Sequence, residues 1–311
     1  MRSFRLPSLL VALLATACAT PPARPPTSAA PAAQRLAFLW EVTKPDAPDR
    51  PLYLTGSVHL GKPGQFVFPP SMEAALARSQ ALVVELDPDK AGADSARMQK
   101  LVLELGTYPP SDGLSAHLSE KTRTLLPGVL ERTGFPPMAA ERMRPWLLYV
   151  TLSVLEIQRE GYSEEGGIDR MLLTKSRPSK RIVELETVES QLRALAELPE
   201  PVQDFMLREQ LEQSSVTGDL LTRIATAWEE GHPDAMATLI LEEQDNPTYQ
   251  PFYEALFFKR NRQMAEQLTT MLDAPETHFA VVGAGHLVGS QGILALLEQK
   301  GLKVRQLPRE P

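Results

Sequence analysis

Two of the five histidines in this chain stand in matched settings. In "LYLTGSVHLG", Leu52–Gly61, an apolar run meets Gly56 and His59 follows three places later. In "HFAVVGAGHLVG", His278–Gly289, a second run meets Gly283 and His286 follows at the same interval. Glycine lets the chain turn sharply. An imidazole just past the carboxyl end of a strand stands where open α/β sheets bind ligands. Carboxylates mark two further strand ends: "VVELD" carries Glu85 and Asp87, and "IVELET" carries Glu184 and Glu186. Alternation along a strand puts each pair on one side. A carboxylate aimed into a buried strand end needs a partner or a cation. Asp87 and Glu189 read as helix caps or solvent-facing acids, whereas Glu85 and Glu186 read as site residues. Two neutral imidazoles with one or two carboxylates form a divalent-metal set suited to zinc, manganese, cobalt or iron. Such an ion lowers the pKa of water, and a carboxylate can accept the proton. "FFKRNRQMA" adds Arg260 and Asn261 on a helix, where Arg260 would pair with a site carboxylate or stabilise an oxyanion.

Other chemistries lack their motifs. There is no H-E-x-x-H and no G-x-S-x-G. Ser57 lies beside the first turn, but nothing in the sequence marks a base for it. "GAGHLVG" is too near the C-terminus to open a dinucleotide-binding unit. His117, His232 and His278 fall in loops or at a strand start and read as incidental. A net charge of −7 without a basic block argues against a nucleic-acid partner.

The elements that must position these residues follow from periodicity. "RLAFLWEV" and "RPLYLTGSVH" read as strands joined by a turn at "TKPDAPDR". "PPSMEAALARSQ" reads as a helix, and "ALVVELDPD" as a short buried strand. The middle carries apolar residues at helical spacing, interrupted by the strand "KRIVELET". The end reads as strand "THFAVVGAG", helix "SQGILALLEQKG" and strand "KVRQL", a compact strand–helix–strand unit. The expectation is an α/β fold. Its central sheet is mixed or mostly parallel, built from N- and C-terminal strands, with a large helical insertion at about residues 95–275.

The N-terminus has its own logic. "MRSFRLPSLLVALLATACAT" places Arg2 and Arg5 before an apolar run too short to span a bilayer, then small residues. This is the layout of a signal peptide, residues 1–17, ending just before Cys18, the only cysteine. "LATAC" resembles a bacterial lipobox, so Cys18 is the expected lipidation site, and the lipid would anchor the protein to a membrane surface. Residues 18–35, rich in Pro and Ala, read as an extended tether, and residues 36–308 as the exported domain.

Taken together, "LYLTGSVHLG", "LVVELD", "GIDRMLL", "RIVELETVESQL", "KRNRQMA" and "FAVVGAGHLVG" occur in an order that resembles the TraB/GumN family. That family is related to Tiki metalloproteases and, more distantly, to ChaN-like and erythromycin-esterase-like proteins. The resemblance spans about residues 36–308. It implies a metal-dependent hydrolase, a peptidase in the Tiki branch, with manganese or cobalt as the metal and a peptide or small amide or ester as substrate. By motif, His59 and His286 are the G-x-x-H histidines. Glu85 is the first-half glutamate, Glu186 the L-E-T glutamate, and Arg260 the arginine before asparagine. The family's W-x-x-G-D segment reads "WEEGHPD" here, with His232 after the glycine and the acid delayed to Asp234, so no function is carried over to it. The implied setting is the bacterial envelope, at the outer membrane facing the periplasm. The ChaN resemblance also permits a lipoprotein that holds a metal or haem-like ligand without turnover, and a non-catalytic partner in an envelope assembly is a third reading.

Overall fold

A computed structural model describes residues 35–93, 95–213 and 217–311 of the chain. The segment read as a signal peptide, Cys18 and nearly all of the segment read as a tether lie outside the described residues. No helix among the described residues is long and apolar enough to cross a membrane.

The fold is α/β. β1 (Leu36–Lys44) and β2 (Ala47–Ser57) form an antiparallel hairpin. The strands run into the segment read as a turn and leave only Pro45 and Asp46 to reverse the chain. Beyond the hairpin come β3 (Ala81–Val84), β4 (Arg181–Glu184), β5 (His278–Gly283) and β6 (Lys303–Pro308). The strand order is β4-β3-β5-β2-β1-β6. The pairings β4–β3, β3–β5 and β5–β2 are parallel, while β2–β1 and β1–β6 are antiparallel. Every residue of β3 and β5 is buried. Unbroken apolar runs of this kind suit parallel strands covered on both faces.

The C-terminal unit departs from the compact arrangement that its sequence suggests. β6 does not lie beside β5, because β3 and β2 already occupy both edges of β5. The chain instead crosses to the far edge and pairs with β1. Helices fill the sequence between β3 and β5, and β4 interrupts them at the opposite edge of the sheet. Their apolar faces join the sheet in one continuous core that includes Trp146, Tyr149, Trp228, Phe252 and Phe279. Trp228 also donates its indole N–H to the Gly56 carbonyl at 2.7 Å, so the tryptophan of "WEEGHPD" braces the end of β2.

Because β2, β5, β3 and β4 are parallel, their carboxyl ends share one rim of the sheet. His59, His286, Glu85 and Glu186 all follow strands that end on that rim.

Candidate functional site

The rim forms the floor of a cavity of about 160 Å³. His59, Glu85, Arg260 and His286 line it together.

Gly283 lies at its centre. A Cβ built on this glycine would stand 3.1 Å from His59 Nε2, 3.2 Å from Glu85 Oε1 and 3.4 Å from His286 Cδ2. The glycine therefore leaves open a small space on which two imidazoles and a carboxylate converge. Its N–H donates to Glu85 Oε1, which fixes the third side of that space.

Each imidazole is held from behind. His59 Nδ1 lies 3.1 Å from Asp169 Oδ2, while Ser57 Oγ donates to Asp169 Oδ1 at 2.7 Å. Asp169 sits in the first turn of the helix Ile168–Ser176, and its own N–H donates to Ser57 Oγ. This side of the site is made by close backbone apposition. The Ile168 N–H donates to the Val58 carbonyl at 3.1 Å, and Gly61 and Ser163 exchange two backbone hydrogen bonds. Gly61 and Gly166 lie back to back, with no room for a side chain on either. His286 Nδ1 lies 2.6 Å from Asn261 Oδ1, and Asn261 Nδ2 donates to the Gln291 carbonyl. With the amide nitrogen so committed, Asn261 presents its oxygen to His286, and Nδ1 must carry the proton. The unprotonated Nε2 of His286 lies 3.8 Å from Glu85 Oε1.

Behind the floor, Arg260 joins both glutamates. Its Nη2 donates to Glu85 Oε2 at 2.7 Å and also to Glu186 Oε2, and its Nε donates to Glu186 Oε1 at 2.8 Å. Nη1 donates to the Leu256 carbonyl, inside a π-helical turn, Glu254–Phe258, that leads into the helix Lys259–Met271. Gln191 Nε2 lies 3.1 Å from Glu186 Oε2 and 3.4 Å from Glu85 Oε2. Of the two roles open to Arg260 from sequence, the geometry therefore displays carboxylate pairing.

The electrostatics follow from burial and partners. Burial opposes a charge on His59, but the adjacent Asp169 carboxylate overrides it and raises the pKa to about 9. The His59 side chain keeps 28% of its surface open to solvent, which softens that burial. Burial pushes His286 down to about 3, with Arg260 adding to the effect, so this imidazole is neutral at pH 7. Burial alone would raise Glu85. The imidazole of His286, the Arg260 guanidinium and His59 oppose it and bring the pKa to about 2. Because His286 is itself neutral, Arg260, the His59 cation and the Gly283 N–H are the partners that keep Glu85 ionised.

The sequence-derived residues are thus distributed unevenly. His59, His286 and Glu85 meet at Gly283, whereas the oxygens of Glu186 are taken up by Arg260 and Gln191. Asp87 does not share Glu85's surroundings. β3 ends at Val84, so strand alternation no longer applies, and Asp87 turns to Arg177 and to the N–H groups of Asp89 and Lys90. Glu184 likewise parts from Glu186 and pairs with Lys90. Glu189 pairs with Arg193 on an exposed helix face. His117 stacks on Tyr108 and does not line the cavity, and His278 lies at the opposite end of β5 from Gly283. Asp169 and Gln191 were missed from sequence. "GIDRMLL" and "VESQL" were the available signals, but their partners lie 110 and 106 residues away.

A model of the TraB/PrgY/gumN family matches residues 38–306. The chain belongs to this family. Its relatives include the uncharacterized protein YbaP of Escherichia coli (strain K12), 25% identical over 80% of this chain and 88% of that protein. Metalloprotease TIKI1 of Danio rerio is 26% identical over 87% of this chain and 63% of its own length. No solved structure matches the chain. The family resemblance read from the motifs is therefore borne out.

Among the described residues, no three or more His, Cys, Asp or Glu side chains are drawn together as a formed metal centre. The donor set at Gly283 nevertheless fits a divalent ion. His59, His286 and Glu85 supply nitrogen and oxygen donors around a space that a single carbon would fill. The Asp169–His59 and Asn261–His286 pairs are the outer hydrogen bonds that metal-binding histidines use to fix tautomer and ring orientation.

Proposed function

We propose that this protein is an exported hydrolase of amide or ester bonds that works with a divalent ion, and that its substrates are peptides. The convergence of His59 Nε2, Glu85 Oε1 and His286 on the space left by Gly283 carries this reading. The similarity to TIKI1 favours a peptidase within it. His59, His286 and Glu85 would hold the ion, with manganese, cobalt and zinc as candidates. When bound, such an ion supplies Lewis acidity that polarises a carbonyl and lowers the pKa of water.

The chain's own residues do the rest. Asp169 and Asn261 hold the two rings so that their Nε2 atoms face the floor. Glu85, ionised and facing the same space, is the carboxylate placed to bind the ion or to take a proton from water. Arg260 balances Glu85 and Glu186 and keeps both in place, so it acts as a positioning residue. The apolar side chains in the cavity lining lower the local polarity and strengthen the electrostatics at the donor set.

Elemental analysis of protein purified without chelator or histidine tag, with a parallel screen of peptide and ester turnover, tests the reading. His59→Ala combined with His286→Ala should lose both metal and turnover. Retention of both in that variant refutes the assignment. Metal without turnover of any substrate would favour a non-catalytic metal-holding role. Export and anchoring at Cys18 belong to the same proposal. Fatty-acid labelling should mark the wild type in membranes, and Cys18→Ser should be unlabelled and soluble.

A further inference from the structure

The cavity has two unlike halves. The charged groups that line it are His59, Glu85 and His286 from the sheet rim with Asp169 and Arg260 from adjoining helices, and all already have partners. The rest of the lining is mostly apolar, with Gln191 turned to Glu85 and Glu186. Trp146 and Val150 come from the helix Pro145–Arg159, Leu192 from Val188–Ala196, Ile224 from Thr217–Glu229, Ile240 from Pro233–Ile240, and Phe257 from the π-helical turn. Trp146 already donates its indole N–H to the Leu105 carbonyl at 3.1 Å, so it offers the cavity only its ring. Phe257 stands against the His286 ring at 5.2 Å between centroids, which brings the apolar wall directly onto the donor set. Trp146, Ile224 and Ile240 are deeply buried, whereas Val150 and Leu192 are half-buried.

We infer that the cavity is a recognition pocket for one uncharged apolar side chain, so that the substrates are peptides or acyl compounds with an aliphatic or aromatic group beside the bond at the rim. The cleaved-bond part of this statement rests on the hydrolase reading, while the pocket itself does not. A charged side chain entering would be buried without a counter-ion, because Arg260 is shared between two carboxylates and Asp169 between Ser57 and His59. The volume of about 160 Å³ is well below the roughly 300–1,000 Å³ of pockets that enclose whole drug-sized ligands. It suits one side chain and the substrate bond next to it at the rim. Binding of that side chain orients the neighbouring bond against the rim.

Ligand-observed NMR titration of the metal-free protein with N-acetyl amides of phenylalanine, leucine, aspartate and lysine tests the pocket without any turnover. The apolar amides should bind at least about tenfold tighter than the charged ones. Leu192→Asp and, separately, Val150→Asp should each abolish that preference, with thermal unfolding followed alongside to confirm a folded chain. Equal binding of all four amides by the wild type, or an intact preference in both folded variants, overturns the inference. A second arm digests a peptide mixture with the metal-loaded protein and maps the cut sites by mass spectrometry. Cuts enriched next to apolar residues support the inference, and cuts without side-chain preference count against it. Selective binding of apolar amides with no cleavage of any peptide or ester leaves the pocket standing and removes the hydrolase reading.

Discussion

Replacing Gly283 with alanine tests the centre of the site with one methyl group. The backbone there has φ −51° and ψ 136°, a conformation open to alanine, so the change does not strain the chain. The new carbon would stand 3.1 to 3.4 Å from His59 Nε2, Glu85 Oε1 and His286 Cδ2. These contacts are tight, and small shifts of side chains at the cavity edge relieve them. Loss of glycine's freedom in the unfolded chain contributes about 0.4–1 kcal/mol in the opposite direction. Folding stability should therefore change by no more than about 1 kcal/mol. Ion binding should suffer far more, because nitrogen and oxygen ligands must approach zinc to about 2.0–2.2 Å. The methyl group would occupy the space in which they meet. A weakening on the order of 100-fold, about 2.8 kcal/mol, is expected. Calorimetric titration with manganese or zinc, beside thermal unfolding of the same samples, separates the two effects. A Gly283→Ala protein that binds the ion as tightly as wild type would show that the convergence at this glycine has nothing to do with metal.

Three further outcomes follow from the same geometry. Asp169→Asn should weaken metal affinity about 10- to 100-fold by loosening His59, measured by competition with a chromogenic chelator; unchanged affinity would leave the Asp169–His59 pair without a role. Arg260→Met should cost about 3–5 kcal/mol in urea denaturation by stranding two buried carboxylates, and adding Glu186→Gln should recover part of that loss. Asp87 has a depressed pKa because Arg177 and two helix N–H groups outweigh the effect of burial. Its contribution is therefore full above the unfolded value of 3.8 and is lost as pH falls through the lower folded value. Thermal melts from pH 6 down to pH 2 should show a shallower acid limb in Asp87→Asn than in wild type.

The paired histidines were legible because each sits a fixed three residues beyond a glycine that ends an apolar run. That pattern is local and survives without knowledge of the fold. The α/β class was legible for the same reason. What escaped depended on contacts between distant parts of the chain. Asp169 looked like any first-turn acid of a helix until the Gly61–Gly166 apposition brought it under His59. Alternation suggested that Glu85 and Asp87 face one way, but the strand ends one residue before Glu85, and its pleat does not extend to Asp87. The apolar residues over the site read as ordinary core positions, since periodicity marks a face and not whether protein or a cavity covers it. Strand β6 was legible as a strand, but its place beside β1 was not, because edge occupancy belongs to the whole sheet.

The back-to-back meeting of Gly61 and Gly166 has a mechanical consequence. With no side chains between them, and with backbone hydrogen bonds on either side, the His59 loop and the Asp169 helix move as one body with the sheet rim. Glu85 is clamped to the same body through the Gly283 N–H. The site thus has one fixed jaw. The helix that carries Leu192 belongs to the same jaw, because Gln191 on it lies 3.4 Å from Glu85 Oε2, so a change in that helix reaches the donor set.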